Sequence, residues 1–438
     1  MTIGPQDITA LPGARSAQGT HALQGARSVP DRATWLVRHR RDLCLGLVGA
    51  VLLLAILFAV RTMREIACRQ ELIREGFPDS YAACLAPLKA DHPNWKFVPL
   101  KVDDLSWRQI VERECAPAMN LVPYSTWAPD DWIRYGVTNY TPYFAANAKA
   151  YDSGTWYQAS REAIAYFMDP RNFFGEGNVF MFESLEYNLG AHTREAVERA
   201  LENSFMSRAN CDGGSRTFAE LILEVGRETG TSPVFLAARL AIEQGAGTVQ
   251  GLGRIGDSLI ELSTNETGRV GNKQIWGQVF THNGKRTRAV VAKGAAHYNG
   301  YYNLFNSGAG GNGLFEIRYN AWREATGDEV CRKYHGPWTS QEKALRGGAL
   351  KIRERYIDTH RYTRYFQKFS VVPAAGESRW KQYMQNITAP LKESRNTRNA
   401  YDAAGTLDAP YRFVIPIYRD MPARPCPDPA KGRSTLSP

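Results

Sequence analysis

Ser232-Pro233-Val234-Phe235-Leu236-Ala237-Ala238-Arg239-Leu240-Ala241-Ile242-Glu243-Gln244-Gly245-Ala246-Gly247 reads as one helix with both ends marked. Ser232 is a capping residue, Pro233 suits the first turn, and Gly245 is a stop signal. Leu236, Leu240 and Glu243 are spaced i, i+4, i+7 and share one side of the helix. A carboxylate at the end of an apolar stripe is partly desolvated. Desolvation raises a carboxyl pKa and keeps the group protonated, as a general acid requires. Arg239, one turn earlier, pulls the other way if it pairs with Glu243. The alternative is an ordinary exposed Arg–Glu pair.

The 438 residues are enough for two or three domains. Leu43 to Val60 carries no charge and no proline, which is just long enough to span a bilayer as a helix. Arg32, Arg38, Arg40 and Arg41 precede it; Arg61, Arg64 and Arg69 follow, diluted by Glu65 and Glu71. This bias favours a cytosolic N-terminus. The run ends Phe58-Ala59-Val60-Arg61 without a small-x-small cleavage site, so an uncleaved signal anchor is expected over a removed signal peptide. Residues 1–31 lack apolar periodicity and read as a disordered arm.

Six of the seven cysteines lie beyond the apolar run: Cys68, Cys84, Cys115, Cys211, Cys331 and Cys426. An even number outside a membrane is the pattern of three disulfides, with buried free thiols as the alternative. No CxxC or Cys/His cluster marks a metal site, and neither a metal nor a cofactor is expected. The net charge of +10 suits an anionic polymer or lipid surface. No basic run interleaved with aromatics suggests nucleic acid.

Helices are expected at Leu105–Cys115, Trp156–Met168, Thr193–Phe205, Thr217–Arg227, Ser340–Tyr356 and Arg379–Asn386. A strand is expected at Trp95–Leu100 and a hairpin around Gln274–Phe280. Asn210–Ser215 reads as a linker. The last residues, Pro422–Pro438, read as a tail that trails off, except for Cys426. The division is then 1–42 cytosolic arm, 43–61 transmembrane anchor, 62–208 stalk and accessory α+β domain, 209–422 catalytic domain and 423–438 proline-rich tail.

Many stretches also match a family in order. They include Gly76-Phe77-Pro78 to Tyr81, His92 to Phe97, Asp169 to Phe173, Phe180 to Glu183 and Ser232 to Gln244. Gly300-Tyr301-Tyr302-Asn303-Leu304-Phe305-Asn306, Trp338 to Ile352, Tyr365 to Phe369, Gln382 to Asn386 and Phe413 to Pro422 continue the series. On these the chain resembles bacterial cell-wall glucosaminidases of glycoside hydrolase family 73, within the lysozyme superfamily. The resemblance implies a mainly helical α+β lysozyme-like catalytic domain with a small β-hairpin lobe. It implies cleavage of peptidoglycan glycan strands at the β-1,4 bond after N-acetylglucosamine, outside the cytoplasmic membrane. Glu243 corresponds to the family's catalytic acid. The Tyr-Tyr-Asn-x-Phe-Asn stretch corresponds to a cleft-lining segment, with Tyr302 the better candidate for a supporting tyrosine. Gln244, Tyr301, Asn303, Phe305, Asn306 and Trp276 are the candidate substrate contacts. One departure stands out: Ser307 follows Asn306 where the family usually has Ile, which implies looser packing of the cleft floor.

Glycoside hydrolysis ordinarily uses two carboxylates. Candidates for the second are Asp257, Glu261 and Glu266; the alternatives are Tyr302 or attack by the substrate's own acetamido group. Glu183 and Glu186, in an aromatic stretch, are expected to be structural. The rival reading is a catalytically silent wall-binding or scaffold protein of an envelope-spanning complex.

Overall fold

A computed structural model describes residues 32–123, 149–151, 156–244, 267–270, 273–282, 285–292, 300–310, 314–369, 371–372 and 382–429. Residues Met1–Arg61 and Thr62–Pro438 form two compact units.

Helix α1 (Arg32–Arg74) contains the apolar run. Its segment Leu45–Arg74 is long and apolar enough to cross a membrane, its most apolar 18-residue window having a mean hydropathy of 2.3 and no residue buried in the protein. Large side chains such as Leu52, Leu54 and Phe58 are more than half exposed, a state that water penalises and lipid does not.

In the second unit α2 (Asp79–Asp91) leads to strand β1 (Lys96–Ser106) and α3 (Trp107–Glu114). Ser106 and Gln109 close a reciprocal capping box on α3. A small antiparallel sheet, β2 (Leu121–Pro123), β3 (Ala150–Tyr151) and β4 (Trp156–Gln158), follows in the order β2-β4-β3. The helix expected to open at Trp156 therefore begins later, as α4 (Arg161–Met168), because Ser160 caps it and Trp156–Gln158 pair with Leu121–Pro123.

Next come α5 (Arg194–Leu201), α6 (Phe218–Thr229) and α7 (Pro233–Gln244). Thr217 and Glu220 form the expected capping box, and Gly230 ends α6 at φ +64°. Strands β5 (Thr267–Val270), β6 (Lys273–His282) and β7 (Lys285–Ala292) make an antiparallel sheet with His282 opposite Lys285, the hairpin expected around Gln274–Phe280. Then come α8 (Leu314–Thr326), α9 (Asp328–Lys333), α10 (Gln341–Ile352), α11 (Arg364–Lys368), α12 (Ala389–Ala403) and β8 (Arg412–Arg419). The result is α+β and mainly helical, with small strand lobes and one long apolar helix.

Strand β8 pairs in parallel with β1, Lys96 opposite Arg412 and Phe97 opposite Phe413. This joins the beginning and end of the second unit. Trp95, Phe180, Tyr411 and Phe413 pack edge-on or tilted at its buried face, with centroids 5.0–5.4 Å from Phe180 or Phe413 in the contacts they make. Residues 422–426 do not trail off. Arg171 donates to the carbonyls of Pro422, Ala423 and Arg424, and Asp169 accepts from the Cys426 amide. The expected helix at Arg379–Asn386 is also absent in its described part. Tyr383 N–H bonds to the Gln367 carbonyl and Asn386 bridges Leu121, so tertiary pairing replaces helical hydrogen bonds there.

The disulfide expectation is corrected: all six cysteines beyond the apolar run are free. They sit on separate elements. Cys211 points at Asp212, and Cys331 bonds the Thr326 carbonyl at 3.5 Å. Aromatic packing, buried ion pairs and β1–β8 pairing provide the long-range ties that cysteine bridges were expected to supply.

Candidate active site

Helix α7 forms as its sequence dictates. The Ser232 hydroxyl accepts from the Phe235 amide at 3.2 Å, and Val234 to Leu240 are buried. Glu243 stands in the last turn, half-buried. Its Oε2 accepts from Asn306 Nδ2 at 2.9 Å and its Oε1 from the Tyr383 hydroxyl at 3.4 Å. Burial raises the Glu243 pKa; the Arg239 charge and the Asn306 and Tyr383 hydrogen bonds oppose it, while Glu393 adds to it. Burial wins, so the proton is held to higher pH than on an ordinary glutamate.

Arg239 is not the exposed partner of Glu243. Only 1% exposed, it pairs with Glu393 at 3.1 Å and lies 3.8 Å over the Tyr383 ring. Its Nε and Nη1 are buried without a hydrogen-bond partner. Glu393 is also 3.6 Å from Arg364, which pairs with Glu183 at 2.9 Å; Glu183 in turn accepts from the Tyr401 hydroxyl at 2.6 Å. Glu183 is thus structural, as expected. The buried set holds two guanidinium groups against two carboxylates beneath the site, which keeps it neutral overall.

Residues 300–310 supply the facing wall. Asn306 sits at φ +48°, a left-handed conformation that asparagine tolerates, and this points its amide at Glu243. Gln244 Nε2 donates to the Leu304 carbonyl at 2.7 Å. Asn303 is 3% exposed; its amide bonds the Ser307 carbonyl at 2.8 Å and its Oδ1 accepts from the Ser307 amide at 2.9 Å. Gln244 and Asn303 therefore hold the loop in place. Ser307, the departure from the family pattern, does not loosen the floor: its hydroxyl donates to Glu324 Oε1 at 2.8 Å. Glu324 also pairs with the buried Lys351.

A cleft of about 220 Å³ opens here, lined by Glu243, Phe305, Asn306, Ser307, Gly308, Gly348, Lys351, Ile352, Arg355, Tyr356, Tyr383 and Met384. Of the expected site residues it brings together Glu243, Phe305 and Asn306. Tyr301 and Tyr302 are half-buried against the core, the Tyr302 amide bonding the Trp338 carbonyl at 3.0 Å, and neither is among the described lining residues. Trp276 lies on β6 opposite Val291; its side chain is outside the described residues, as are Asp257, Glu261 and Glu266. Among the described lining residues Glu243 is the one carboxylate.

Tyr383, Tyr356, Lys351 and Arg355 were not anticipated as site residues. Tyr383 is 140 positions from Glu243 in the chain, and its burial raises its phenol pKa well above the ordinary value. It therefore acts as a neutral donor. An aromatic in the polar run Gln382–Asn386 was the available signal. Burial, and after it the like charge of Arg355, lowers the Lys351 pKa to about 8. The Glu324 carboxylate in contact with it favours the charged form.

No protein-family model and no curated protein matches the chain. Among solved structures, S. aureus glucosaminidase B aligns with a TM-score of 0.39 and 16% identity, over 74% of this chain and 94% of that one. S. aureus Autolysin E aligns with a TM-score of 0.40 and 16% identity, over 73% and 98%. Likenesses at that level do not establish a shared activity.

Proposed function

We propose that the protein is a membrane-anchored hydrolase of peptidoglycan glycan strands, cutting the β-1,4 bond after N-acetylglucosamine with Glu243 as the acid. The observation that carries this reading is a carboxyl with a raised pKa in a cleft, hydrogen-bonded by Asn306 and a neutral tyrosine. The ordered family motifs around it support the substrate. In this reading Glu243 protonates the glycosidic oxygen as the C1–O bond breaks, and the developing positive charge at C1 is captured by water or by the 2-acetamido oxygen. The Tyr383 hydroxyl, beside Glu243, is placed to orient that nucleophile and takes the supporting role first assigned to Tyr302.

Residues 209–422, which carry Glu243 and the cleft, are assigned the catalytic part and residues 62–208 a bracing part of the same compact unit; Asn210–Ser215, expected to be a linker, is folded into that unit through Asp212, which bonds Gln341 and Glu342. The apolar run anchors the chain in the cytoplasmic membrane with the cleft outside. The arginines before the run support that orientation. Peptidoglycan is the partner, and an envelope-spanning complex is a further candidate.

The test is product chemistry. Purified peptidoglycan is digested with the full-length chain in detergent, then reduced with borohydride and hydrolysed. The reading predicts glucosaminitol as the new reducing end. Muramitol in its place would reassign the bond, and neither alcohol would favour the silent wall-binding alternative.

A further inference from the structure

Among the described residues that line the cleft, one cation has no internal role. Lys351 is buried and spent on Glu324, which also holds Ser307. Arg355 lies four residues on, in a π-helical turn (Arg353–Ile357) that continues α10, and its side chain is exposed at the cleft. π-turns widen a helix locally and often mark functional positions. The acids nearest in sequence are already engaged. Glu354 accepts from the Tyr334 hydroxyl at 2.7 Å, and Asp358 accepts from Arg353 at 2.6 Å. Among the described residues Arg355 makes no ion pair. Its charge still reaches into the site, favouring the ionised form of the Tyr356 phenol and disfavouring the charged form of Lys351.

An unpaired guanidinium in a sugar cleft has a defined chemical complement. Its planar fork suits a carboxylate bidentately, whereas neutral sugar hydroxyls offer no such charge. We propose that Arg355 forms a subsite for a carboxylate borne by the glycan, and so makes the cleft prefer acidic saccharides over neutral ones. Lys351, fixed by Glu324, stands behind it as a positioning residue, adding positive potential without giving up its own partner. This rests on the reading of Glu243 as the centre of a glycan cleft. The carboxylate is either the lactyl ether on the sugar or the end of an attached peptide.

Binding decides it without turnover. Affinities of the full-length chain in detergent are measured for three oligosaccharides of equal length. One is a peptide-free GlcNAc–MurNAc oligomer, one the same oligomer with its carboxylates as methyl esters, and one a peptide-bearing oligomer, in which every lactyl carboxyl is taken up as the amide to the peptide and the free carboxylates are the peptide's. The wild type is expected to prefer a free-carboxylate oligomer over the ester by about twofold to fivefold, the upper part of the range for an exposed charge pair, and to lose the preference as salt rises. Arg355→Gln should bring the ratio to about one, and Arg355→Lys should restore part of it. A preference for the first oligomer identifies the lactyl carboxylate as the ligand; a preference for the third alone identifies the peptide's. A wild-type ratio near one for both, or an Arg355→Gln chain that keeps its preference, overturns the proposal. Discrimination in binding with no bond cleavage by the wild type would instead sink the assignment of Glu243 and leave the subsite standing.

Discussion

Gly348→Ala isolates the link between packing and the site. Gly347 and Gly348 occupy the middle of α10, where each costs about 1 kcal/mol relative to alanine. A Cβ on Gly348 would stand 2.3 Å from Cδ2 and 2.9 Å from Cε2 of Phe305. Ordinary contact begins near 3.4 Å, so the Phe305 ring must retreat by about 1.1 Å. Overpacking of this kind costs about 1–3 kcal/mol. Set against the helix gain of about 1 kcal/mol, the net loss of stability is about 0–2 kcal/mol. The ring cannot move alone. The Phe305 carbonyl faces the Tyr383 hydroxyl at 3.5 Å, and the next residue, Asn306, holds Glu243. A displacement of about 1 Å in a reacting group can cost on the order of 100-fold in rate. The expected result is a chain that unfolds nearly as wild type yet releases on the order of 100-fold fewer reducing ends. Gly347→Ala should behave oppositely. Its Cβ would meet the Tyr334 carbonyl oxygen at 2.0 Å, and that oxygen already accepts from Trp338 Nε1 at 2.7 Å. There stability fails first, as read by thermal unfolding beside a wall-turbidity assay. Gly348→Ala activity within about twofold of wild type would refute the reasoning, as would equal unfolding losses in the two variants.

Three further outcomes follow from the same geometry. Tyr383→Phe removes a hydrogen bond that favours the Glu243 carboxylate; the turnover rate should fall at least tenfold and the alkaline limb of the pH–rate profile should move to higher pH. Arg239→Met strands the buried Glu393 and should cost about 3–5 kcal/mol in urea unfolding, with Arg239→Met/Glu393→Gln recovering part of that loss. His192 is buried, and burial followed by the Arg364 charge lowers its pKa from 6.5 to about 3. It is neutral in the fold while the unfolded chain takes up a proton below pH 6.5, so its stabilising contribution is complete above that pH and is lost as pH falls from 6.5 toward 3. Wild type should lose about 1.4 kcal/mol per pH unit in that window from this group, and His192→Asn, which keeps an acceptor for the Asn188 amide, should not.

Local chemistry made the site-bearing helix legible. Ser232, Pro233 and the apolar spacing place Glu243 in the last turn of α7, and Thr217 with Glu220 starts the helix before it. What was hidden depends on partners remote in the chain. Arg239 looked like the partner of an acid four residues away, but it finds Glu393, 154 positions on. Tyr383 sat in a segment that read as helix, and only its tie to the Gln367 carbonyl turns it toward Glu243. Trp156–Gln158 read as a helix start until a strand partner, Leu121–Pro123, was in view. The cysteine count misled for the same reason: an even number says nothing about which thiols meet. Ser307 was read as a loss of packing because its acceptor, Glu324, lies on another helix.

The central claim is that the Glu243 proton drives bond cleavage. Its most direct measurement is the rate of reducing-end release from purified peptidoglycan by the full-length chain and by Glu243→Gln, each first matched to wild type in thermal unfolding. The glutamine keeps the shape, and its single oxygen can still accept from Asn306 or Tyr383, but its amide has no acidic proton to give. The account predicts a loss of at least 1,000-fold, on the order expected for removing a general acid. Equal release by the two folded chains would contradict it.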